Sequence, residues 1–231
     1  MGPVEFRQAE ADGTLPRAPR FPAIRFDSAR QGFVEPDQAE RIFAELDQPF
    51  ADVARFSYLG ARRINEVLTL KWAQIDRDAR EVRWAKLKNG RPLTLPLTGG
   101  LWELIERRWA ARCIGAWLSP HVFSASHRGL LSYSAYRLRF VDAATRAGLP
   151  RIRPHDFRRS GVRNLIRSGV SQSVAKTISG HVSDAMFARY DITSTDDQRA
   201  ALARAERYHE NQARTMARTS ADNAKSGLEK L

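Results

Sequence analysis

The chain has 231 residues, 42% of them hydrophobic, enough for one generous domain with a buried core. Its 38 Lys and Arg outweigh 26 Asp and Glu, giving a net charge of +12 and an isoelectric point near 10.6; this favours a polyanionic partner, nucleic acid first and an anionic membrane surface second. No run approaches the ~18 apolar residues of a membrane span, the N-terminus carries Glu5, Glu10 and Asp12 rather than a signal, and a single cysteine, Cys113, excludes an internal disulfide and a cysteine cluster for zinc, so a cytoplasmic setting is expected, with Cys113 in the core.

In chain order, residues 1–33 are rich in Pro and Gly without sustained periodicity and read as a linker, or the remnant of a missing domain. Helical patterning begins at "EPDQAERIFAEL", with Pro36 in the first turn and Ile42, Phe43 and Leu46 on one apolar face. Two more helices are expected over 51–59 and 63–70. The period then changes: "EVRWAKLKNGRPLTLPL" alternates apolar and polar residues about Asn89-Gly90, a strong hairpin signal. Helices are expected at about 99–113, 132–147, 156–168, 171–179, 184–190 and 195–210. The remaining tail is polar and expected to be loose. The fold class is therefore mainly α with a small antiparallel β-sheet, an α+β arrangement with its main domain at 34–206 and a tail at 207–231.

Three segments carry candidate chemistry. In "GARRINEVLTLKW", a helix through Arg63 would align it with Val67 and Leu70, leaving Arg62 as a solvated partner of Glu66. An inward guanidinium needs an anion, either a protein carboxylate or a ligand phosphate. "RIRPHDFRRSGVRNLIRSG" holds six arginines between Arg151 and Arg167. Arg158 aligns with Val162 and Leu165 and so borders the core, with His155 one turn earlier. Arg159, Arg163 and Arg167 form a stripe that suits either a phosphate backbone or a plain solvated face. Two inward arginines with a histidine from each of two segments suggest a pocket for one phosphate.

The third segment is "SGHVSDAMFARYDI". Nine steps along one helix would put His181 and Tyr190 on opposite faces. They share a site only if the chain bends, for which Gly180 can end one helix and Ser183-Asp184 open the next. Taken alone, the pair also fits a helix-end histidine and a packed ring, and Lys88 beside the hairpin turn also fits a solubilising edge residue.

Together these elements resemble the catalytic domain of the tyrosine recombinases, the phage integrase family, over about residues 32–200. The matching elements are Arg63-x-x-Glu66 with Leu70 and Trp72; Lys88 in "KNGRPLTLPL"; His155-x-x-Arg158; Gly180-His181; and Tyr190 nine residues later. The family's usual Thr-Gly before the first arginine reads Gly60-Ala61 here, with the turn glycine displaced by one. The helical core-binding domain that usually precedes this region is represented only by the linker-like residues, so the chain reads as a truncated piece or a minimal member.

The resemblance implies that Tyr190 attacks a DNA phosphate to form a 3′-phosphotyrosyl bond. Arg63 and Arg158 would hold the non-bridging oxygens, Lys88 would protonate the leaving 5′ oxygen, His155 would assist proton transfer at the tyrosine, and His181 would donate to a phosphate oxygen. No metal cage, Cys/His set or P-loop is readable, so strand cutting is expected without metal, nucleotide or other cofactor. The expected partner is double-stranded DNA, bound by a homotetramer, with a monomer compatible in isolation and the tail as a subunit-docking segment. Weak cleavage and modest affinity are expected without a clamp domain. A DNA-binding remnant that no longer recombines, and topoisomerase IB-like relaxation, are the alternative readings.

Overall fold

The computed structural model describes residues 3–17, 19, 32–114, 117–124, 130–181 and 195–228. It divides into two units, residues 1–31 and 32–231. In the first, where the sequence suggested only linker, Pro3–Ala11 form a helix, α1. This helix ends in a turn at Gly13, whose φ of 71° lies in the left-handed region that glycine adopts without strain.

In the second unit, α2 (Pro36–Ala44) starts as its sequence indicates. Pro36 takes a first-turn position, and the Gln38 side chain accepts the Glu35 N–H at 3.0 Å. It buries Ala39, Ile42 and Phe43 against α3 (Phe50–Leu59), the central helix, which also meets all the other long helices of the core. The core around α3 is aromatic: Phe43, Tyr58 and Phe140 each present an edge or face to Phe157, with ring centroids 4.9–5.5 Å apart for the Phe157 pairs. A short helix α4 (Ile64–Leu68) precedes a three-stranded antiparallel sheet in the order β1 (Ile75–Asp76), β2 (Glu81–Trp84) and β3 (Leu93–Pro96). Trp84 pairs with Leu93, so the hairpin closes through a loop over residues 85–92 with Asn89-Gly90 at its tip, rather than through a two-residue turn.

Beyond the sheet come α5 (Gly99–Ala110), the two-residue strands β4 (Cys113–Ile114) and β5 (Trp117–Leu118), α6 (Tyr133–Arg146), α7 (Pro154–Arg167), α8 (Gln172–Ser179) and α9 (Thr195–Leu228). Cys113 is exposed on its short strand, not in the core. Helix α9 runs well past the expected end near 210 and takes in most of the tail. The helix expected at 184–190 lies outside the described residues.

The junction after α3 sets the direction in which the chain enters α4. Gly60 closes the helix with an ordinary φ of −86°, while Ala61 takes φ 51°, and the Arg62 N–H reaches back to Ser57 O at 3.2 Å. This is a Schellman ending with alanine in the left-handed position where glycine is usual. The left-handed position is thus residue 61, where alanine sits at a cost of about 1 kcal/mol. The buried Ala61 methyl lies against Gly161 of α7, where helix and turn approach so closely that a β-carbon on Gly161 would sit 2.3 Å from Tyr58 O and 3.2 Å from Ala61 Cβ.

Gly161→Ala is accordingly expected to lower unfolding stability by about 2–3 kcal/mol through overpacking, read as a fall in the urea midpoint at unchanged slope.

Candidate active site

Helix α7 delivers two of the candidate residues together. Pro154 opens it, and buried Asp156 accepts the Arg153 N–H at 2.9 Å, which fixes the first turn and sets His155 and Arg158 on its inner side. Arg158 is only 2% exposed, and its Nη1 donates to Ala61 O at 2.8 Å. The left-handed turn at Ala61 thus aims a carbonyl at a buried guanidinium, which needs such a partner to be tolerated in the core. Arg158 Nη2 lies alongside the His181 ring, 3.1 Å from Nε2 and 3.3 Å from Nδ1.

His181 arrives from the end of α8. Gly180, at φ 71°, terminates that helix, as the sequence suggested. Its α-carbon packs so closely on Leu87 and Leu93 that an added β-carbon would lie 3.2 Å from each. Asn89 Nδ2 also donates to Gly180 O at 3.4 Å, so the loop carrying Lys88 is tied to the segment carrying His181. His181 is buried, and Ser179 Oγ stands 2.8 Å from its Nδ1. Burial, then the charges of Arg158 and Arg63, push the His181 pKa down to about 3, so the ring is neutral near pH 7. His155, exposed at the site, is also held below its usual value by lost hydration and then by Arg158.

The paired arginines after α3 depart from the helical-face expectation. The helix begins at Ile64, so its periodicity does not extend back to 62 and 63. Arg62, expected to be solvated, is fully buried: Nη1 donates to Ile178 O at 2.9 Å, Nη2 donates to Glu66, and the guanidinium lies 4.6 Å over the Trp84 ring. Its pKa is lowered by burial and supported by Glu66. Arg63 is the more open of the two, with Nη1 donating to Glu66 Oε1 at 3.0 Å. Glu66 thus receives both guanidinium groups, and Arg62 joins the start of α4, the sheet and the end of α8 in one tie that the sequence pattern did not disclose. Its signal was a second arginine directly after a helix end, where a side chain can turn inward.

Arg63, Lys88, His155 and Arg158 line one cavity of about 300 Å³, with Glu66, Asn65 and Tyr133 on its walls. His181 adjoins through Arg158. Tyr190, the candidate nucleophile, lies outside the described residues. The arginine stripe is not a solvated face at two of its three positions. Arg163 is buried and donates to Glu35 at 2.7 Å, Arg159 is buried beside Asp156, and both lie over the Phe33 ring. Arg167 is half exposed, 3.7 Å from Glu35. Among the described residues, no group of three or more His, Cys, Asp or Glu is placed to hold a metal ion, and no helix is long and apolar enough to cross a membrane.

This arrangement of helices around a three-stranded sheet is the fold of tyrosine recombinase catalytic domains. The integrase of transposon Tn1549, solved with a circular intermediate DNA, superimposes with a TM-score of 0.67 at 16% identity, covering 87% of this chain and 76% of that one. A lambda integrase tetramer bound to a Holliday junction gives 0.63 at 18% identity, over 81% and 56%. Residues 32–197 match the phage integrase family, and the chain belongs to it. The integrase of Salmonella phage P22 is 26% identical over 189 residues, 76% of this chain and 47% of that protein, so this chain spans about half the length of that relative.

The charges carry two testable outcomes. Glu66→Ala leaves Arg62 buried without its carboxylate and is expected to cost about 3–5 kcal/mol in urea unfolding. His181 has a folded pKa below its unfolded value near 6.5, so above that pH it has no effect, and as pH falls from there toward 3 the unfolded chain takes up the proton first. Stability is therefore expected to fall between pH 6.5 and 4, by at most about 1.4 kcal/mol per unit from this group, and less steeply in His181→Gln.

Proposed function

We propose that this chain is the catalytic part of a site-specific DNA recombinase that cuts and rejoins strands through Tyr190 without metal or nucleotide. The observation that carries this reading is the convergence of Arg63, Lys88, His155 and Arg158 on one cavity, with His181 held against Arg158. In this mechanism Tyr190 Oη attacks the scissile phosphorus and the bond to the 5′ oxygen breaks. The products are a 3′-phosphotyrosyl linkage and a 5′-hydroxyl. Attack by a 5′-hydroxyl from another strand reverses the step with no external energy source, because the phosphotyrosyl bond retains that of the phosphodiester.

Arg63 and Arg158 hold the non-bridging oxygens, whose charge is concentrated in the pentacoordinate transition state; donors fixed in this way are typically worth about 3 kcal/mol each. Arg158 is suited to the task because its Nη1 contact to Ala61 O already orients the guanidinium. Lys88, exposed on a loop tied to Gly180, protonates the departing 5′ oxygen. His155, neutral at physiological pH, accepts the tyrosine proton. Double-stranded DNA is the partner, taken up by a homotetramer with the C-terminal segment docking between subunits; the lambda integrase tetramer on a Holliday junction supports this assembly by analogy. Arg167 is the stripe residue best exposed to reach a phosphate, whereas Arg159 and Arg163 act through the protein.

The test is a nicked suicide duplex incubated with the chain and resolved on a denaturing gel. A covalent protein–DNA band is expected from the wild type, none from Tyr190→Phe, and a band reduced about 100-fold or more from Arg158→Ala. Duplex binding intact in all three, with no band in any, would favour a DNA-binding remnant. Duplex affinity is expected to fall steeply with salt, as phosphate-dominated contacts do.

A further inference from the structure

Ser179 sits between helix α8 and the candidate histidine, and no sequence motif marks it. It is fully buried. Its Oγ lies 2.7 Å from Ala175 O, 3.5 Å from Lys176 O and 2.8 Å from His181 Nδ1. A hydroxyl has one hydrogen to give. If that hydrogen goes to the Ala175 carbonyl, which can only accept, Nδ1 must donate its own hydrogen to Oγ. The opposite arrangement, with the hydroxyl donating to Nδ1, would leave the neutral ring protonated at Nε2. That N–H would face Arg158 Nη2, a group with donors alone, at 3.1 Å. Arg158 Nη2 also lies 3.3 Å from Nδ1, so it does not choose between the ring nitrogens; the Ser179 hydroxyl, already donating to Ala175 O, does.

We infer that Ser179 is a positioning residue: its hydroxyl holds His181 in the Nδ1–H form and leaves Nε2 as the ring atom that serves the phosphate. This deepens the recombinase reading and rests on it. When a phosphate oxygen draws the Arg158 N–H groups to itself, Nε2 takes a proton from solvent and becomes a donor beside them. The Nδ1–H bond to Ser179 is unchanged, because the same oxygen accepts from the neutral and the protonated ring. Protonation then requires no turn of the imidazole. Among the described residues, the charged or titratable groups facing His181 are Arg158 and His155 on α7, and Arg62 and Arg63 ahead of α4. The three arginines oppose the proton until an anion enters. With alanine at 179, Nδ1–H would be buried without an acceptor, which favours ring rotation or the other tautomer.

The test uses the full chain labelled with 15N-histidine, with the His181 signals identified by their absence in His181→Ala. In the wild type near neutral pH, His181 is expected to show a protonated Nδ1 and a bare Nε2. Ser179→Ala is expected to shift the ring toward Nε2–H. It should also lower the rate of covalent complex formation by about 10–100-fold, the range seen when a metal-bound histidine loses its orienting partner, with duplex affinity unchanged. Ser179→Thr, which restores the hydroxyl, should recover both. An unchanged Nδ1–H pattern in Ser179→Ala overturns the inference. So does a shifted pattern with an unchanged rate when His181→Ala is slow. If the wild type forms no covalent complex, the recombinase reading fails, and the ring-nitrogen spectra still decide whether Ser179 holds the tautomer.

Discussion

A guanidinium is tolerated in a protein interior only where oxygen meets its N–H groups, and this fold holds two such groups, Arg158 on the cavity wall and Arg62 behind it through Glu66. Arg158 is held by the carbonyl of Ala61, and Arg62 by Glu66 and the carbonyl of Ile178. Neither carbonyl is available by accident. Ala61 O is turned inward by a left-handed residue after α3, and Ile178 O lies in the last turn of α8. The site is therefore a meeting of helix ends. What α3, α7 and α8 do at their termini decides where the positive charge goes.

The electrostatic balance has its origin in the same placement. Among the described residues, Glu66 is the one carboxylate on the cavity wall, and both Arg62 and Arg63 bond to it. Arg158 adds a further positive charge, one of its N–H groups bonded to the Ala61 carbonyl, and Lys88 opens onto the same space. Such an excess cannot be relieved by protonating more groups, so the nearby histidines stay neutral. Cations held in place in this way are the kind of preorganised charge that makes electrostatic stabilisation of an anion effective.

Much of this was legible in the chain, though unevenly. Pro154 and Asp156 mark the start of α7 and fix the phase that turns Arg158 inward and sets His155 on the cavity wall; local capping chemistry is visible from sequence. Asn89-Gly90 located the sheet, although Trp84 and Leu93 close it and leave Lys88 on a longer loop than a tight turn would give. The arginine pair at 62 and 63 defeated the helical-face argument because a 3.6-residue period has meaning only inside a helix, and α4 starts one residue later. Arg159 and Arg163 were read as outward because their partners, Phe33 and Glu35, lie more than a hundred residues away in sequence. No local pattern encodes that contact. Cys113 reversed for a related reason: two-residue strands bury little, and the chain around them does not announce which side is covered.

The close approach of Gly161 to Ala61 extends its influence beyond packing. Residue 161 has no side chain and touches no candidate catalytic group, yet it sets how near α7 comes to the turn after α3. Across the same approach Arg158, on α7, donates to the Ala61 carbonyl that orients it. A larger residue there would have to push the turn outward, and the guanidinium would follow or lose its anchor. A change at this chemically silent glycine would therefore register at the arginine anchor, although the residue itself carries no chemistry.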